Sequence, residues 1–147
     1  MSITLPEIVD SHCHLDFPEL VKDLDNVVYR AKKRGVSKFV TICTKEEDLE
    51  KVISLAESFK EIYFAFGLHP LNVSDTSKIS LESLLEAAKH PKMIGIGETG
   101  LDYYYTVETK ELQIESLITH IIAARKTNLP LIIHSRNADE DMENILV

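Results

Sequence analysis

Four short segments carry residues whose types and spacing could bind a cation or move a proton. His12 and His14 stand two positions apart, with Cys13 between them and Asp10 and Asp16 on either side. Side chains alternate faces along an extended strand, so the two imidazoles project together and Cys13 projects oppositely. Two imidazoles on one face can hold one divalent cation; Asp10 and Asp16 share their parity and can orient them. A lone His-x-His pair is a weak signal. It gains weight because other apolar runs end in the same way. Glu98 closes Ile94-Gly95-Ile96-Gly97, His134 closes Leu131-Ile132-Ile133, and His69 follows Gly67-Leu68. By simple alternation Glu98 is in phase with Ile94 and Ile96, and His134 with Ile132, so each polar group ends an otherwise apolar face.

Imidazoles from two strands and a carboxylate from a third form a nitrogen and oxygen ligand set: His12, His14, Glu98 and His134. It suits Zn, Mn, Fe, Ni or, with more carboxylates and waters, Mg. Glu98 is the candidate catalytic group. A glutamate can bridge two cations about 4 Å apart, lowering the pKa of a shared water until it attacks at neutral pH. The chemistry this points to is hydrolysis. No G-x-S-x-G elbow competes with it, and two cysteines, Cys13 and Cys43, cannot build a structural zinc site. Arg136, two positions after His134, can fork onto phosphate oxygens; a surface salt bridge is a nearly equal reading. His69 can contact substrate or position a metal-bound water, or equally be bonded within the rim. Tyr103, Tyr104 and Tyr105 could stack a base, although packing their loop onto the protein is the expected job. His90 and His120 fall on helices and receive no role. Lys32, Lys33 and Arg34 read as a solvated helix end that complements the dipole.

These residues need a scaffold that gathers strand ends. Runs rich in β-branched and aromatic residues predict strands over Ile8–His14, Lys38–Cys43, Ile62–His69, Met93–Glu98 and Leu129–His134. Between them lie amphipathic stretches. Leu20, Leu24, Val27, Val28 and Ala31 share a helical face that Gly35 stops. Thr44-x-x-Glu47 fits a capping box ahead of Leu49, Val52, Ile53 and Ala56. Leu81, Leu84, Leu85 and Ala88 mark a third helix. Ile114, Leu117, Ile118, Ile121 and Ile122 mark a fourth, ended by Asn128 and Pro130. Strand–helix alternation implies parallel strands, since parallel neighbours need a crossover. The strand ends fall about thirty residues apart, the length of a βαβ unit. An eight-unit barrel at that pace needs about 240 residues, near the usual size. The chain has 147 residues and stops at Val147 just after Met142, Ile145 and Leu146 open another apolar face. The expectation is an α/β, TIM-type (β/α)8 barrel truncated to about four and a half βα units, residues 1–147 forming one domain. A complete, open, doubly wound sheet is the competing architecture, though the turn Leu15-Asp16-Phe17-Pro18 lacks the glycine of a nucleotide-binding loop.

Composition bounds the rest. Lys and Arg number 16 against 24 Asp and Glu, a formal charge of −8, with 44% hydrophobic and 27% charged residues. This is an ordinary globular composition, neither disordered nor collagen-like. The start Met1-Ser-Ile-Thr-Leu-Pro-Glu lacks a secretory signal, and no apolar run approaches membrane-spanning length. A reduced, cytoplasmic protein with no membrane partner is expected. The acidic balance argues against a broad basic groove, though not against a small local site.

In the segments Asp10-Ser-His-Cys-His-Leu-Asp16, Gly67-Leu-His-Pro70, Gly95-Ile-Gly-Glu-Thr-Gly-Leu-Asp-Tyr-Tyr104 and Leu131-Ile-Ile-His-Ser-Arg-Asn-Ala138 the chain resembles the TatD family of metal-dependent deoxyribonucleases, within the amidohydrolase-like barrels. The four occur in the family's order and spacing. The resemblance implies an eight-stranded barrel, two divalent metal ions (Mg, Mn or Zn) and hydrolysis of phosphodiester bonds in DNA. His12 and His14 would bind one metal, Glu98 would bridge, and His134 would bind the second. Leu71 stands where some members have a second histidine. The family takes a further histidine and an aspartate from strands beyond the fifth, past Val147. Two alternatives stay open: hydrolysis of a C–N or carboxylic ester bond by the same metal chemistry, and a catalytically inert half-barrel. A half-barrel would also expose strand edges and favour self-association.

Overall fold

The structure, a computed structural model, describes residues 7–147. The stretch Met1–Pro6, where a secretory signal was sought, lies outside them. Five strands, β1 (Ile8–Cys13), β2 (Val36–Cys43), β3 (Ile62–Phe66), β4 (Met93–Asp102) and β5 (Leu131–Arg136), form one sheet. The helices between them are α1 (Pro18–Val21), α2 (Leu24–Lys33), α3 (Leu49–Ser58), α4 (Leu81–Ala87) and α5 (Lys110–Thr127), with α6 (Asp139–Leu146) following β5. Every neighbouring pair is parallel and the spatial order is β1-β2-β3-β4-β5. A doubly wound sheet reverses its order at a switch point. This one never reverses: it is five strands curled into half of a barrel. Among the described residues no helix is long and apolar enough to cross a membrane.

Two apolar layers explain the curl. Phe39 and Cys43 of β2, Ile62, Phe64 and Phe66 of β3, and Met93 and Ile96 of β4 face the helices and pack with Val52, Leu55, Ala56 and Leu84. On the opposite, concave face Val40, Ile42 and Ala65 meet Ile132. β2 and β3 are thus covered on both faces, which parallel strands require.

Several elements depart from the sequence reading. The first helix is two: α1 begins on Pro18 and stops before Asp23, whose carboxylate takes hydrogen bonds from Asn26 and, at 3.2 Å, from Arg30. These local bonds compete with helix continuation. Gly35 does end α2, at φ 97°. No capping box forms between Thr44 and Glu47; Glu46–Asp48 is a short 3-10 turn that follows Lys45, with no side-chain cap. Ser80 caps α4, accepting the Ser83 backbone N–H at 3.0 Å. Asn128, left-handed at φ 57°, ends α5 as expected.

The largest correction concerns α5. Its sheet-facing side holds Gln113, Leu117, His120, Ala123 and Ala124, all buried, whereas Ile118 and Ile122 are 45% and 40% exposed. Gln113 and His120 take inward positions because both bond backbone groups at the ends of strands. Replacing Leu117 with Ala should therefore cost about 2–5 kcal/mol, and Ile118→Ala less than about 1 kcal/mol. Denaturant unfolding of the two variants checks this; equal losses would mean that Ile118 is part of the core.

Candidate metal centre

β1 and the residue after it supply His12 and His14, β4 supplies Glu98, β5 supplies His134, and His69 opens the turn that follows β3. All are placed at the C-terminal ends of parallel strands, the rim where barrel sites are built. Glu98 is the junction. Its Oε2 lies 3.2 Å from His12 Nε2, while Oε1 lies 3.4 Å from His134 Nδ1 and 3.8 Å from His69 Nε2. One donor atom each from His12, His14 and Glu98 falls within 4.8 Å of the others, and the same holds for His69, Glu98 and His134. The carboxylate belongs to both groups.

Glu98 does not reach this position by alternation. Ile96 is fully buried on the helix side, and the β4–β5 register slips between Ile96 and Thr99. Gly97 makes the slip possible at φ 127°; a Cβ there would stand 2.4 Å from the Ile132 carbonyl oxygen. Gly67 of the β3 end presses on the same point, where a Cβ would come 2.6 Å from Gly97 Cα. The strand therefore turns its carboxylate inward at a place only glycines can supply.

In His14, His134 and His69 the second ring nitrogen fixes what the first can do. His14 Nδ1 lies 3.3 Å from the Ile42 carbonyl oxygen, a pure acceptor, so Nδ1 carries the proton and Nε2 keeps a lone pair. His134 Nε2 lies 2.9 Å from Asp102 Oδ2, so that nitrogen donates and the Nδ1 lone pair faces Glu98. His69 is arranged oppositely. Its Nδ1 accepts the Leu71 N–H at 3.1 Å, leaving the proton of the neutral ring on Nε2, which faces Glu98. Burial, outweighing the Glu98 charge, lowers the His69 pKa and keeps the ring neutral. His69 thus offers a donor to an oxygen, while His14 and His134 can offer lone pairs.

Asp102 is a site residue that the sequence reading passed over. It is fully buried at the end of β4, four residues past the strand end expected at Glu98. Oδ2 faces His134, and Oδ1 accepts the backbone N–H groups of Tyr104 and Tyr105 at 3.1 and 2.8 Å. Burial alone would raise its pKa; the Tyr105 N–H, the His134 ring and the Tyr104 N–H outweigh that and hold it below the usual carboxylate range. Gln113 closes the same turn, accepting the Asp102 N–H at 2.7 Å and donating to the Thr106 carbonyl at 2.6 Å. Asp102 stood within a motif that was quoted, but only contact with His134 reveals its use.

His120, given no role from sequence, is also structural to the site. Its Nε2 accepts the Leu68 N–H at 3.0 Å and its Nδ1 donates to the Ser116 carbonyl at 2.7 Å. It therefore anchors the residue beside His69. Other residues fall away from the centre. Burial, then the charges of Asp10 and Asp16, push the Cys13 thiol up to about 12, and it donates to the Val40 carbonyl at 3.4 Å. Asp10 accepts the His12 backbone N–H at 3.3 Å, and the buried Asp16 Oδ1 has no hydrogen-bond partner among the described residues. Neither orients an imidazole. Tyr103 packs as expected, its hydroxyl donating to Asp141 at 2.7 Å. Tyr104 and Tyr105 do not: they are 58% and 57% exposed. Arg136 lies over both rings and, among the described residues, forms no ion pair, so the salt-bridge reading fails.

The donor set fits divalent cations. Imidazole lone pairs on two sides share one carboxylate, and His134 has the carboxylate partner that metal-binding histidines use to fix orientation and basicity. Half of a parallel barrel with such donors on its rim is the architecture of a barrel enzyme's metal face. A profile of the TatD-related DNase family matches residues 9–147, and the chain belongs to that family. It is 40% identical over 142 residues to the uncharacterized metal-dependent hydrolase YcfH of Escherichia coli K12, covering 95% of this chain and 53% of that protein. It is 35% identical over 153 residues to human deoxyribonuclease TATDN3, covering 95% of this chain and 56% of that one. The crystal structure of YjjV, a TatD homologue from Escherichia coli K12, matches with a TM-score of 0.80 at 34% identity, over 91% of this chain and 52% of that one. The chain spans about half the length of the curated relatives it matches.

The buried His120 gives the protein an acid sensitivity of known sign. Burial pushes its pKa down to about 4, from an ordinary 6.5. The unfolded chain therefore takes up this proton first, and stability falls as pH drops from 6.5 towards 4. The loss from this group is on the order of 3 kcal/mol. His120→Gln should be less stable at pH 7 and should lack that component of the acid slope. Urea unfolding at several pH values checks it; an unchanged slope would assign the acid sensitivity elsewhere.

Proposed function

We propose that the protein is a metal-dependent hydrolase of phosphodiester bonds in DNA, with its centre built on His12, His14, Glu98 and His134. The observation that carries this reading is the division of the Glu98 carboxylate, one oxygen towards His12 and the other towards His134. That arrangement suits two divalent cations, Mg, Mn or Zn, with Glu98 as the bridge and the catalytic carboxylate. Bound cations would supply Lewis acidity at a phosphoryl oxygen and a water acidic enough to attack near neutral pH. The chain's own residues do the rest. Asp102 holds His134 in one tautomer and one orientation. His69 donates its Nε2 proton to an oxygen at the centre. Arg136, free of any carboxylate among the described residues, binds a non-bridging phosphate oxygen. Its unpaired guanidinium beside the centre favours a phosphodiester over an amide or carboxylic ester, and the family description and the name of TATDN3 point the same way.

Calorimetric titration with Mn tests the centre directly. The protein should take up the ion, chelator should remove it, and Glu98→Gln should weaken uptake on both sides while cutting any DNA hydrolysis by about a thousand-fold. Asp102→Asn should cost about 10- to 100-fold in affinity or activity through His134. No uptake by the unaltered protein, or full uptake by Glu98→Gln, overturns the reading.

We also infer self-association through strand edges. β1 and β5 bound the sheet, and Ile8, Val9 and Ile133 are exposed there. Unpaired edges with apolar side chains recruit further strands. Light scattering should show an average mass that rises with protein concentration; a monomer at every concentration contradicts this.

A further inference from the structure

We infer that the cavity between α5 and residues 73–79 is a binding site for a small zwitterion, an α-amino acid with a short side chain. It lies outside the metal centre and requires no metal.

An unsatisfied hydroxyl is the first observation. α5 carries Leu112, Glu115, Ser116 and Thr119 at i, i+3, i+4 and i+7, a stripe beside its sheet-facing side. Val73, Lys78 and Ile79 stand opposite, and the two sides bound a cavity of about 90 Å³. The Ser116 hydroxyl is buried and bonds nothing among the described residues. Its neighbours on the helix behave otherwise. Thr119 and Thr127 return their hydroxyls to the carbonyls of Glu115 and Ala123, at 3.0 and 2.8 Å. A buried hydroxyl without a partner is a costly arrangement, and native structures set water or a ligand against it. The Ser116 donor is therefore kept for an occupant of the cavity.

Charge is the second, independent observation, and it names the occupant. Lys78 and Glu115 are both exposed at the edge of the cavity. Among the described residues neither enters an ion pair, with the other or with any third group. A cation and an anion that border one space without neutralising each other match a ligand carrying both signs. Its carboxylate goes to Lys78 and its ammonium to Glu115. A plain anion would meet the Glu115 carboxylate, and a plain amine would meet the Lys78 ammonium. Val73, Ile79 and Leu112 leave an apolar wall for a short aliphatic group. Size sets the remaining limit. At about 15 Å³ for each water, the space takes about six non-hydrogen atoms, the size of alanine or serine. A nucleotide or an aromatic amino acid is too large.

The site also has a reporter near the rim. The Ser116 carbonyl accepts His120 Nδ1 at 2.7 Å, and His120 Nε2 accepts the Leu68 N–H at 3.0 Å. A ligand bonded to Ser116 therefore acts on the residue that anchors the end of β3, one position before His69.

Amide NMR of the metal-free protein in chelator tests the proposal, since no cation is then available to hold an amino acid at the centre. Alanine, serine, propionate and propylamine are titrated separately. Alanine and serine should shift the amides of Ser116 and Leu68 and saturate at about millimolar concentration. Propionate and propylamine, each lacking one charge, should require at least about tenfold more. Ser116→Ala and Glu115→Gln should each weaken alanine binding about 3- to 10-fold, with thermal melting and Mn uptake unchanged for Glu115→Gln. No saturable shift with alanine or serine, an equal response to propionate or propylamine, or full alanine binding by Glu115→Gln overturns the site. Mn uptake by the same samples reports on the metal centre separately.

Discussion

One carboxylate with an imidazole at each oxygen is the constraint that organises the rim. Glu98 is an anion at the junction of two groups of donors, and its two oxygens are committed in different directions. A carboxylate has no preference of its own for such a split; on the Oε1 side it is set by His134 and His69, whose outer nitrogens are already bonded. His14 is held by a backbone carbonyl and His134 by Asp102, and His69 is held by a backbone N–H. The first two bonds leave a lone pair free and the third leaves a proton. The difference between a ligand and a donor is thus written in main-chain and buried side-chain contacts, at atoms facing away from the centre.

Those contacts explain why the longest helix carries polar residues where an apolar stripe was expected. Gln113 and His120 occupy sheet-facing positions of α5, a costly place for an amide and an imidazole unless their polar atoms are satisfied. Gln113 brackets the turn after β4, and His120 takes the N–H of Leu68 at the end of β3. The helix acts as a strut between two strand ends that both contribute to the site. Ile118 and Ile122, displaced from the core, lie outward, while Ile114 and Ile121 stay half-buried beside Leu117. A cavity left by either polar residue would free the backbone group it bonds, so these positions link local stability to the geometry of the rim.

The class of fold was legible because the strand and helix periods differ and recur about every thirty residues. The convergence of His12, His14, Glu98 and His134 was legible because imidazoles and carboxylates end strands for few structural reasons. What alternation misjudged was the path of β4. Treating Glu98 as in phase with Ile96 ignores Gly97, whose positive φ breaks the parity that the argument assumed. Asp102 and His120 stayed hidden for another reason. Each acts through a partner more than thirty residues away, His134 in one case and Leu68 in the other. No spacing rule along one chain carries such information. The exposure of Tyr104 and Tyr105 was equally invisible, since an aromatic run reads as packing until the surface is known.

Net charge poses the remaining question: how a chain of formal charge −8 can address a polyanion. A basic groove would do so through many phosphate contacts and a steep salt dependence. Here the His69 ring, kept neutral by burial, adds no charge, and Asp102, held below the usual carboxylate range, adds negative charge at the rim itself. In the proposed centre bound divalent ions would invert the sign locally, since they would be the largest charges there. Arg136 extends that positive spot by one residue pair along β5. The attraction is therefore short in range, confined to about one phosphate and its neighbour. An acidic surface around such a centre adds no attraction of its own for a polyanion. The acidic composition and the nuclease reading are compatible for that reason, and a basic face would be needed only if the protein gripped a long duplex.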